Sequence, residues 1–444
     1  MIERTMLEWS RLPYGEDLSQ RDTIPMAMAD RLAAVARRTA LGGEDGGRIL
    51  QHGRDAIRAG QIVGVLAAEG CALEILPKID LIGFGAGHAD RPAALRRELI
   101  HMLAVALDLD IAIGSITALG TQHETLLEVL IRLFCTKLFE AVRRGLPRRY
   151  ISQADDLRAL RGRLDVVRQF SALAASPQRL ACRYDELSPD NALNQILKAV
   201  VSRLASVARA SDNVRSLREL AFAFADITDI PVSALCWDDA VIDRTNARWG
   251  ELKRLARLLL GNQFQTTSRG HAPGFALLFE MNVLFEEYVG RLLARALAKE
   301  GFAVRLQGGG RYCLIELDEI GTSGSKRFLT RPDIIVSQRD APKLIIDTKW
   351  KRLASQIDDP KRGVAQGDVY QLMAYGRLYG CQQLMLLYPH HAGLIQPEGV
   401  IGRHRIEGGD DRLTIATIQL GQRSTIANRL STLAAMRSVE TSPG

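Results

Sequence analysis

Residues 331–350 read RPDIIVSQRDAPKLIIDTKW. Two runs of isoleucine, valine and leucine flank a short polar segment containing Pro342, the pattern of two strands joined by a tight loop. Buried strands are ordinarily apolar, yet Asp333, Asp347 and Lys349 interrupt these runs. In an antiparallel hairpin the paired residues have a constant index sum, and pairing Ser337 with Lys343 sets Asp333 opposite Asp347. Side chains alternate between faces, so Asp347 and Lys349 share one. Directly opposed residues stand about 4.5–5.5 Å apart at Cβ. The two carboxylates then converge, with an ammonium one step along. A slip of one residue would part them.

Carboxylates that close repel, and burial penalises each of them. Two readings answer the difficulty. One is a structural ion pair between Lys349 and either aspartate at the strand ends. The other is a divalent cation. Mg²⁺ favours carboxylate and water oxygens and leaves positions open for phosphate. It acidifies water and neutralises charge on a phosphoryl oxygen, and Lys349 could orient that water or steady the phosphorane. This chemistry suits phosphodiester hydrolysis. In the next helix, GDVYQLMAYGRLYG, residues Asp368, Gln371 and Tyr375 fall at i, i+3 and i+7 on one polar stripe. Gln371 and Tyr375 there either hold DNA phosphates or form an ordinary amphipathic surface. Upstream, LFEEYV sets Glu286 and Glu287 in an apolar helix, and one of them is a candidate third metal ligand.

The chain has 444 residues, too many for one ordinary core, so two or three domains are expected. Its 58 basic and 51 acidic residues leave a net charge of +7, which fits a polyanion partner without requiring one. Six cysteines form no CxxC pair and no zinc-finger spacing, as expected of reduced thiols in a cytoplasmic protein. No charged segment followed by an apolar core opens the sequence, so no secretory signal is expected. The most apolar stretch, MLAVALDLDIAIG, contains Asp108 and Asp110 and is too short to span a bilayer.

Three regions are expected. Residues 1–92 are β-rich, with a helix in DRLAAVARRTAL, two strands in GQIVGVLAAEGCALEILPKI around Glu69-Gly70, and a glycine-rich link, GFGAGHADRPAA. Residues 93–268 are mainly helical. Within them YISQADDLRALRGRLDVVRQF is rich in arginine, presenting a solvated face or one that meets DNA or a partner. Residues 269–444 start with FALLFEMNVLFEEYVGRLLARALAKEG, read as a long amphipathic helix closed by Gly301. Strands FAVRLQ and RYCLIELD, the opening hairpin, a helix, and strands QQLMLLYP and RLTIATIQL follow in an α/β order. GTSGSK at 321–326 is not a phosphate-binding Walker motif. GFGAG does not link a strand to a helix as a dinucleotide-binding turn does. Both read as flexible loops, and no nucleotide site is expected.

The order of helix glutamate, PD, DTK and QLMAY resembles the PD-(D/E)xK nuclease superfamily, and Gln371 and Tyr375 match a feature of its RecB-like branch. GQIVGVLAAEGCALEILPKI, LRGRLDVVRQF, CRYDELSPDNALNQILK and FEMNVLFEEYV are similar to the McrC family, the nuclease subunit of McrBC modification-dependent restriction systems. The resemblance runs from about residue 60 to 390. It implies an α/β nuclease domain of PD-(D/E)xK type at 269–444, a mixed sheet flanked by helices, preceded by a helical region and a small β-rich N-terminal domain. It implies Mg²⁺-dependent cutting of double-stranded DNA, with Mn²⁺ able to substitute. Asp333, Asp347 and Lys349 would be catalytic, Asp333, Asp347 and Glu286 would hold the metal, and Gln371 and Tyr375 would position DNA. It also implies a partner, a McrB-like AAA+ GTPase ring that residues 1–92 would dock and stimulate. The nuclease domain would fold without those residues, and a 5-methylcytosine-type base would be read by the partner. The alternatives are a stand-alone nuclease of the RecB or Cas4 kind and a regulator of a ring NTPase on a nuclease fold. Scattered cysteines disfavour the first, and the intact Asp333, Asp347 and Lys349 disfavour the second.

Overall fold

The computed structural model of the chain describes residues 2–43, 45–80, 91–109, 124–176, 178–260, 274–317, 323–354 and 363–435. Its contacts separate two compact units, Met1–Leu126 with Gln265–Gly444 and Leu127–Phe264. The first unit begins with β1 (Ile2–Leu7), β2 (Arg11–Pro13), α1 (Met26–Arg37), β3 (Leu50–His52), β4 (Ala56–Ala59), β5 (Ile62–Ala68), β6 (Cys71–Leu76) and α2 (Arg91–Ala106). The helix in DRLAAVARRTAL is α1, whose Ala29, Leu32, Ala33 and Ala36 form the buried stripe. The two strands about Glu69-Gly70 are β5 and β6, and Gly70 supplies the φ of +78° that the turn needs.

The second unit holds α3 (Leu126–Val142), β7 (Arg149–Leu157), β8 (Arg163–Leu164), α4 (Val166–Phe170), β9 (Leu180–Ser188), α5 (Ala192–Ala205), α6 (Ser211–Ala223) and α7 (Gly250–Leu260). Helix α5 buries Leu193, Ile196, Leu197, Val200, Val201 and Leu204, and Asn191 caps it by accepting from the Asn194 N–H. The arginine-rich stretch departs from the helical expectation. It forms an antiparallel sheet in the order β7-β9-β8, with β7 and β9 paired over their whole length from Arg149↔Ser188 to Leu157↔Leu180. The physical reason is its period. Burial alternates along the start of β7, a two-residue repeat that a helix cannot use. Two of its four arginines are in ion pairs, Arg161 at 3.2 Å from Glu186 and Arg168 at 3.0 Å from Asp156.

The chain then returns to the first unit with β10 (Phe275–Glu280), α8 (Met281–Leu297), β11 (Ala303–Leu306), β12 (Arg311–Leu317), β13 (Ser323–Thr330), β14 (Ile334–Gln338), β15 (Ala341–Thr348), α9 (Gln366–Tyr379), β16 (Gln383–Pro389), β17 (Gly399–Arg405), β18 (Arg412–Ile418) and α10 (Ile426–Ala435). FALLFE, read from sequence as the first turns of a helix, is β10. A short, wholly apolar run suits a buried strand as well as a helix, and an available edge decides the matter. That edge is β5, with Phe275↔Ala67 through Glu280↔Ile62 antiparallel in a sheet ordered β1-β6-β5-β10. The approach is close. A Cβ on Gly64, whose φ is +131°, would stand 1.9 Å from the Leu277 carbonyl oxygen. Helix α8 starts only afterwards and closes at Gly301 with φ +76°.

A six-stranded sheet follows in the order β11-β14-β15-β16-β18-β17. Strands β15, β16 and β18 are parallel and the outer pairs antiparallel, so the sheet is mixed. Ile335 and Ile345 pack with Leu372 and Tyr375 of α9 on one face, and Ile334 and Ile346 are buried on the other. Near the aspartates the expected register stands, with Ile334↔Ile346 and Val336↔Leu344. It shifts by one after Val336, where a bulge pairs Ser337 with Pro342 instead of Lys343. Pro342 has no N–H to give the ladder, and a bulge is where a strand tolerates that. Ser323–Lys326 of the expected GTSGSK loop is the start of β13, paired with β12. GFGAG lies outside the described residues. Cys71, Cys135, Cys182 and Cys381 are buried and Cys236 and Cys313 exposed, all as free thiols. Among the described residues no helix is long and apolar enough to cross a membrane.

The expected boundaries at 92/93 and 268/269 do not divide these contacts. Residues 1–92 share a sheet with 275–280, and α2 belongs with them. Trp350 Nε1 also donates to Glu8 Oε1 at 2.9 Å, across 342 residues of chain. A protein starting at residue 93 should therefore fail to stay soluble, because β10 would lose β5 and expose an unpaired apolar strand. Soluble yield against the full chain measures this, and an equal yield with native-like circular dichroism would refute it.

Candidate active site

Strand β15 carries Asp347 to the carboxyl end of the parallel part of the sheet. Asp333 lies just before β14, in the turn that brings the chain back. Its Oδ2 accepts from the Thr348 N–H at 2.8 Å and from Thr348 Oγ1 at 3.0 Å. That clamps the two strand ends together. Asp347 is 1% exposed, and its Oδ2 is 2.7 Å from Lys349 Nζ. Its Oδ1 has no hydrogen-bond partner among the described residues. Lys349 has left the ladder, but its N–H still donates to the Leu387 carbonyl at 3.0 Å, so the chain stays beside β16.

Helix α9 brings the polar stripe to the same face. Gln371 Nε2 donates to the Tyr375 hydroxyl at 2.7 Å. The tyrosine is buried and the glutamine exposed. Asp368, noted on the stripe but given no role, stands 3.9 Å from Lys349 Nζ and 3.2 Å from Lys351 Nζ. Its i−3 position from Gln371 was the signal. Helix α8 separates the two glutamates. Glu287 turns to Arg291 at 3.4 Å, and Glu286 is buried with Oε1 unpartnered among the described residues. Thr348 and Gln307 escaped sequence reasoning, since neither carries a recognisable spacing.

The electrostatics follow from burying like charges. Burial, then the Asp333 charge, pushes Asp347 up to about 6 against the opposing pull of Lys349. Burial also raises Asp333, opposed by the Thr348 N–H and Lys349. Glu286 rises to about 8 through burial and then Asp333, while Gln307 pulls it down. Burial alone would lower the Lys349 ammonium, but Asp347 and then Asp333 and Asp368 outweigh it and raise it.

Among the described residues no three His, Cys, Asp or Glu side chains converge closely enough to hold a metal by themselves. The expected trio of Asp333, Asp347 and Glu286 is thus not a finished cage. Asp333 gives one oxygen to Thr348, and Asp347 gives one to Lys349. What remains is an all-oxygen donor set with two buried, orphaned atoms, Asp347 Oδ1 and Glu286 Oε1. This fits Mg²⁺, which commonly takes one or two carboxylates and completes its shell with water and phosphate. It does not fit a soft or tetrahedral metal.

A carboxyl whose folded pKa exceeds its unfolded value stabilises the fold when protonated. The Glu286 contribution is full below about 4.5 and is lost as pH rises through about 8. In EDTA, Glu286→Gln should therefore raise the melting temperature by a few degrees at pH 8 and leave it nearly unchanged at pH 4.5. Equal shifts at both pH values would show that Glu286 is not a buried, charge-crowded group.

Comparison with known proteins gives a family. The family model described as McrBC 5-methylcytosine restriction system component matches residues 57–389. No curated protein matches. Among solved structures, the chain is similar to a refined half-complex from a tetradecameric assembly of Thermococcus gammatolerans McrB AAA+ hexamers with bound McrC. The TM-score is 0.65 at 20% identity, covering 97% of this chain and 99% of that one. It is also similar to the cryo-EM structure of the Thermococcus gammatolerans McrBC complex, with a TM-score of 0.51 at 25% identity over 66% of this chain and 88% of that one. Because the matched segment spans most of the sequence and includes every residue of the site just described, the chain belongs to the McrBC 5-methylcytosine restriction system component family.

Proposed function

We propose that the chain is the DNA endonuclease subunit of a two-component, modification-dependent restriction system, with a PD-(D/E)xK fold formed by the six-stranded sheet, α8 and α9. The observation that carries this is the buried Asp333–Asp347 pair at a strand end, with Lys349 at 2.7 Å and one Asp347 oxygen unpartnered. Ion pairs elsewhere also leave one carboxylate oxygen without a partner among the described residues, as at Glu98 and Asp156, so what sets this pair apart is the second buried carboxylate crowding it, a repulsion that a cation would offset. Asp333, Asp347 and Glu286 are the residues to hold Mg²⁺ or Mn²⁺. When bound, the cation supplies a Lewis acid for the phosphoryl oxygen and acidifies water. The chain's own residues do the rest. Lys349 holds a positive charge beside the reacting phosphate. Asp368 fixes that lysine from α9. Gln371 and Tyr375, locked by their mutual hydrogen bond, position a neighbouring phosphate.

Asp347→Ala and Lys349→Ala should each reduce plasmid cleavage on the order of 100-fold or more, and EDTA should abolish it. Gln371→Ala and Tyr375→Phe should cost about 10-fold without changing the sequence cut. Folding stability of Asp347→Ala should hold or rise, because a crowded buried charge is removed. Undiminished cutting by Asp347→Ala, or by the wild type in excess EDTA, would sink the assignment.

The assemblies named above contain McrB AAA+ hexamers, and we propose that an AAA+ GTPase ring is also this chain's partner. The sequence pointed to residues 1–92 for docking. In the fold they share a sheet with Phe275–Glu280, and in the second unit Tyr150, Val167 and Phe170 are 74%, 80% and 76% exposed. Serine at these three positions should reduce the partner's stimulated GTP turnover about 10-fold. Serine at the exposed Leu18 and Met26 of the N-terminal part tests the first surface. The set that leaves turnover intact is not the docking face.

A further inference from the structure

Beside the carboxylates, the first unit holds a cavity of about 430 Å³. It opens at the carboxyl ends of the three parallel strands. Trp350 and Lys351 follow β15, His390 follows β16, and Leu420 follows β18. Such ends are where α/β sheets bind ligands. The facing wall comes from the N-terminal part of the same unit, chiefly Trp9, Gln61 and Lys78. The two tryptophans differ. Trp350 is fixed, buried edge-on against Phe285 at 5.4 Å, its indole N–H bound by Glu8 and its backbone N–H by Asn282. Trp9 is 47% exposed, on a backbone with φ +61°. Trp9 takes that conformation in the turn closed by the Ser10 N–H donating to the Leu7 carbonyl at 3.1 Å, and the Arg58 guanidinium lies 5.9 Å from the centre of its ring.

The rim of the cavity carries Lys78, Lys351 and Arg352 beside the carboxylates of Glu8 and Asp80. Lys78 forms no ion pair among the described residues, and Arg352 is balanced by Asp80 at 2.7 Å. Lys351 shares Asp368 with Lys349, at 3.2 Å and 3.9 Å, so the rim is continuous with the reacting centre. The half-exposed Trp9 ring, the Gln61 side-chain carbonyl and the Lys78 ammonium match three parts of one molecule. A bare anion has no use for the indole. A wholly apolar ligand would strand the amide and the carboxylates. The volume lies within the range of small-molecule sites.

We propose that this cavity takes one nucleoside monophosphate unit of the DNA strand, its base unstacked onto Trp9 and its phosphate toward Lys78 and Lys351. Stacking on an aromatic side chain and hydrogen bonding at the base edge are how proteins hold an extruded base. The proposal rests on the nuclease reading for its DNA strand, but its binding test does not.

The test is intrinsic tryptophan fluorescence of the full-length protein in EDTA. The ligands are the four deoxynucleoside monophosphates, the unphosphorylated deoxynucleosides and inorganic phosphate. At least one monophosphate should quench saturably, its deoxynucleoside should bind about tenfold more weakly, and phosphate alone should not quench. Trp9→Gly, a residue suited to the positive φ, should weaken binding about tenfold or more, and Trp9→Phe should restore most of it. Lys78→Ala should weaken the monophosphate and not the deoxynucleoside. No quenching by any of the four, or unchanged affinity in Trp9→Gly, overturns the proposal. Monophosphate binding without DNA cleavage would keep the cavity and remove the nuclease reading. Cleavage without binding would do the reverse.

Discussion

Two carboxyl groups are buried side by side at the end of an isoleucine-rich hairpin, and the centre of the larger unit is arranged around that charge. Asp347 has the Asp333 charge beside it and almost no solvent. Isolated burial of an ionised carboxylate would be prohibitive. Lys349 and Thr348 offset part of the strain, each from a different element of geometry. Lys349 comes from the alternation of β15 and Thr348 from the opposite face of the same strand, while burial and then the Asp333 charge still hold the Asp347 pKa up. The offset is incomplete: Asp347 Oδ1 and Glu286 Oε1 have no hydrogen-bond partner among the described residues.

The N-terminal part supports this centre from behind. Gln61 Nε2 reaches both the Trp350 carbonyl and Asn282 Oδ1 at 3.0 Å, joining β5, α8 and the segment after Lys349. Glu8 accepts from Trp350 and from the Lys78 N–H at 2.7 Å. Its pKa is raised by burial, against the pull of those hydrogen bonds. The residues flanking Lys349 are therefore held by the first eighty residues of the chain.

Much of this was legible in the sequence, and the failures have physical causes. The alternation of IIDTK placed Asp347 and Lys349 on one face, and the index sum of the hairpin kept Asp333 near them, because a period of two is insensitive to distant context. The bulge at Ser337 was invisible, since it depends on how Pro342 meets its neighbour. FALLFE was misread because a six-residue apolar run has no period to measure, and only the vacancy beside β5 made it a strand. The domain scheme failed for the same reason. Long-range strand pairing leaves no local mark, whereas α3, α5 and α7 of the second unit, each with its own leucine stripe, could be read one at a time. Of the residues around the Asp333–Asp347 pair, those matched by pattern were foreseen. Thr348, Gln307 and the lysine-bridging role of Asp368 follow from packing alone.

The pairing of β5 with β10 also dictates an order of events during synthesis. A ribosome adds roughly 5–20 residues per second, so β5 leaves the exit tunnel tens of seconds before its partner exists. In that interval Ile62–Ala68 is an apolar edge with no neighbour on one side, while the helical unit between the two strands, rich in local contacts, can already collapse. The nascent protein thus completes its insert before its host. Conditions that slow translation or crowd the nascent chain would act first on the sheet that holds β5 and β10.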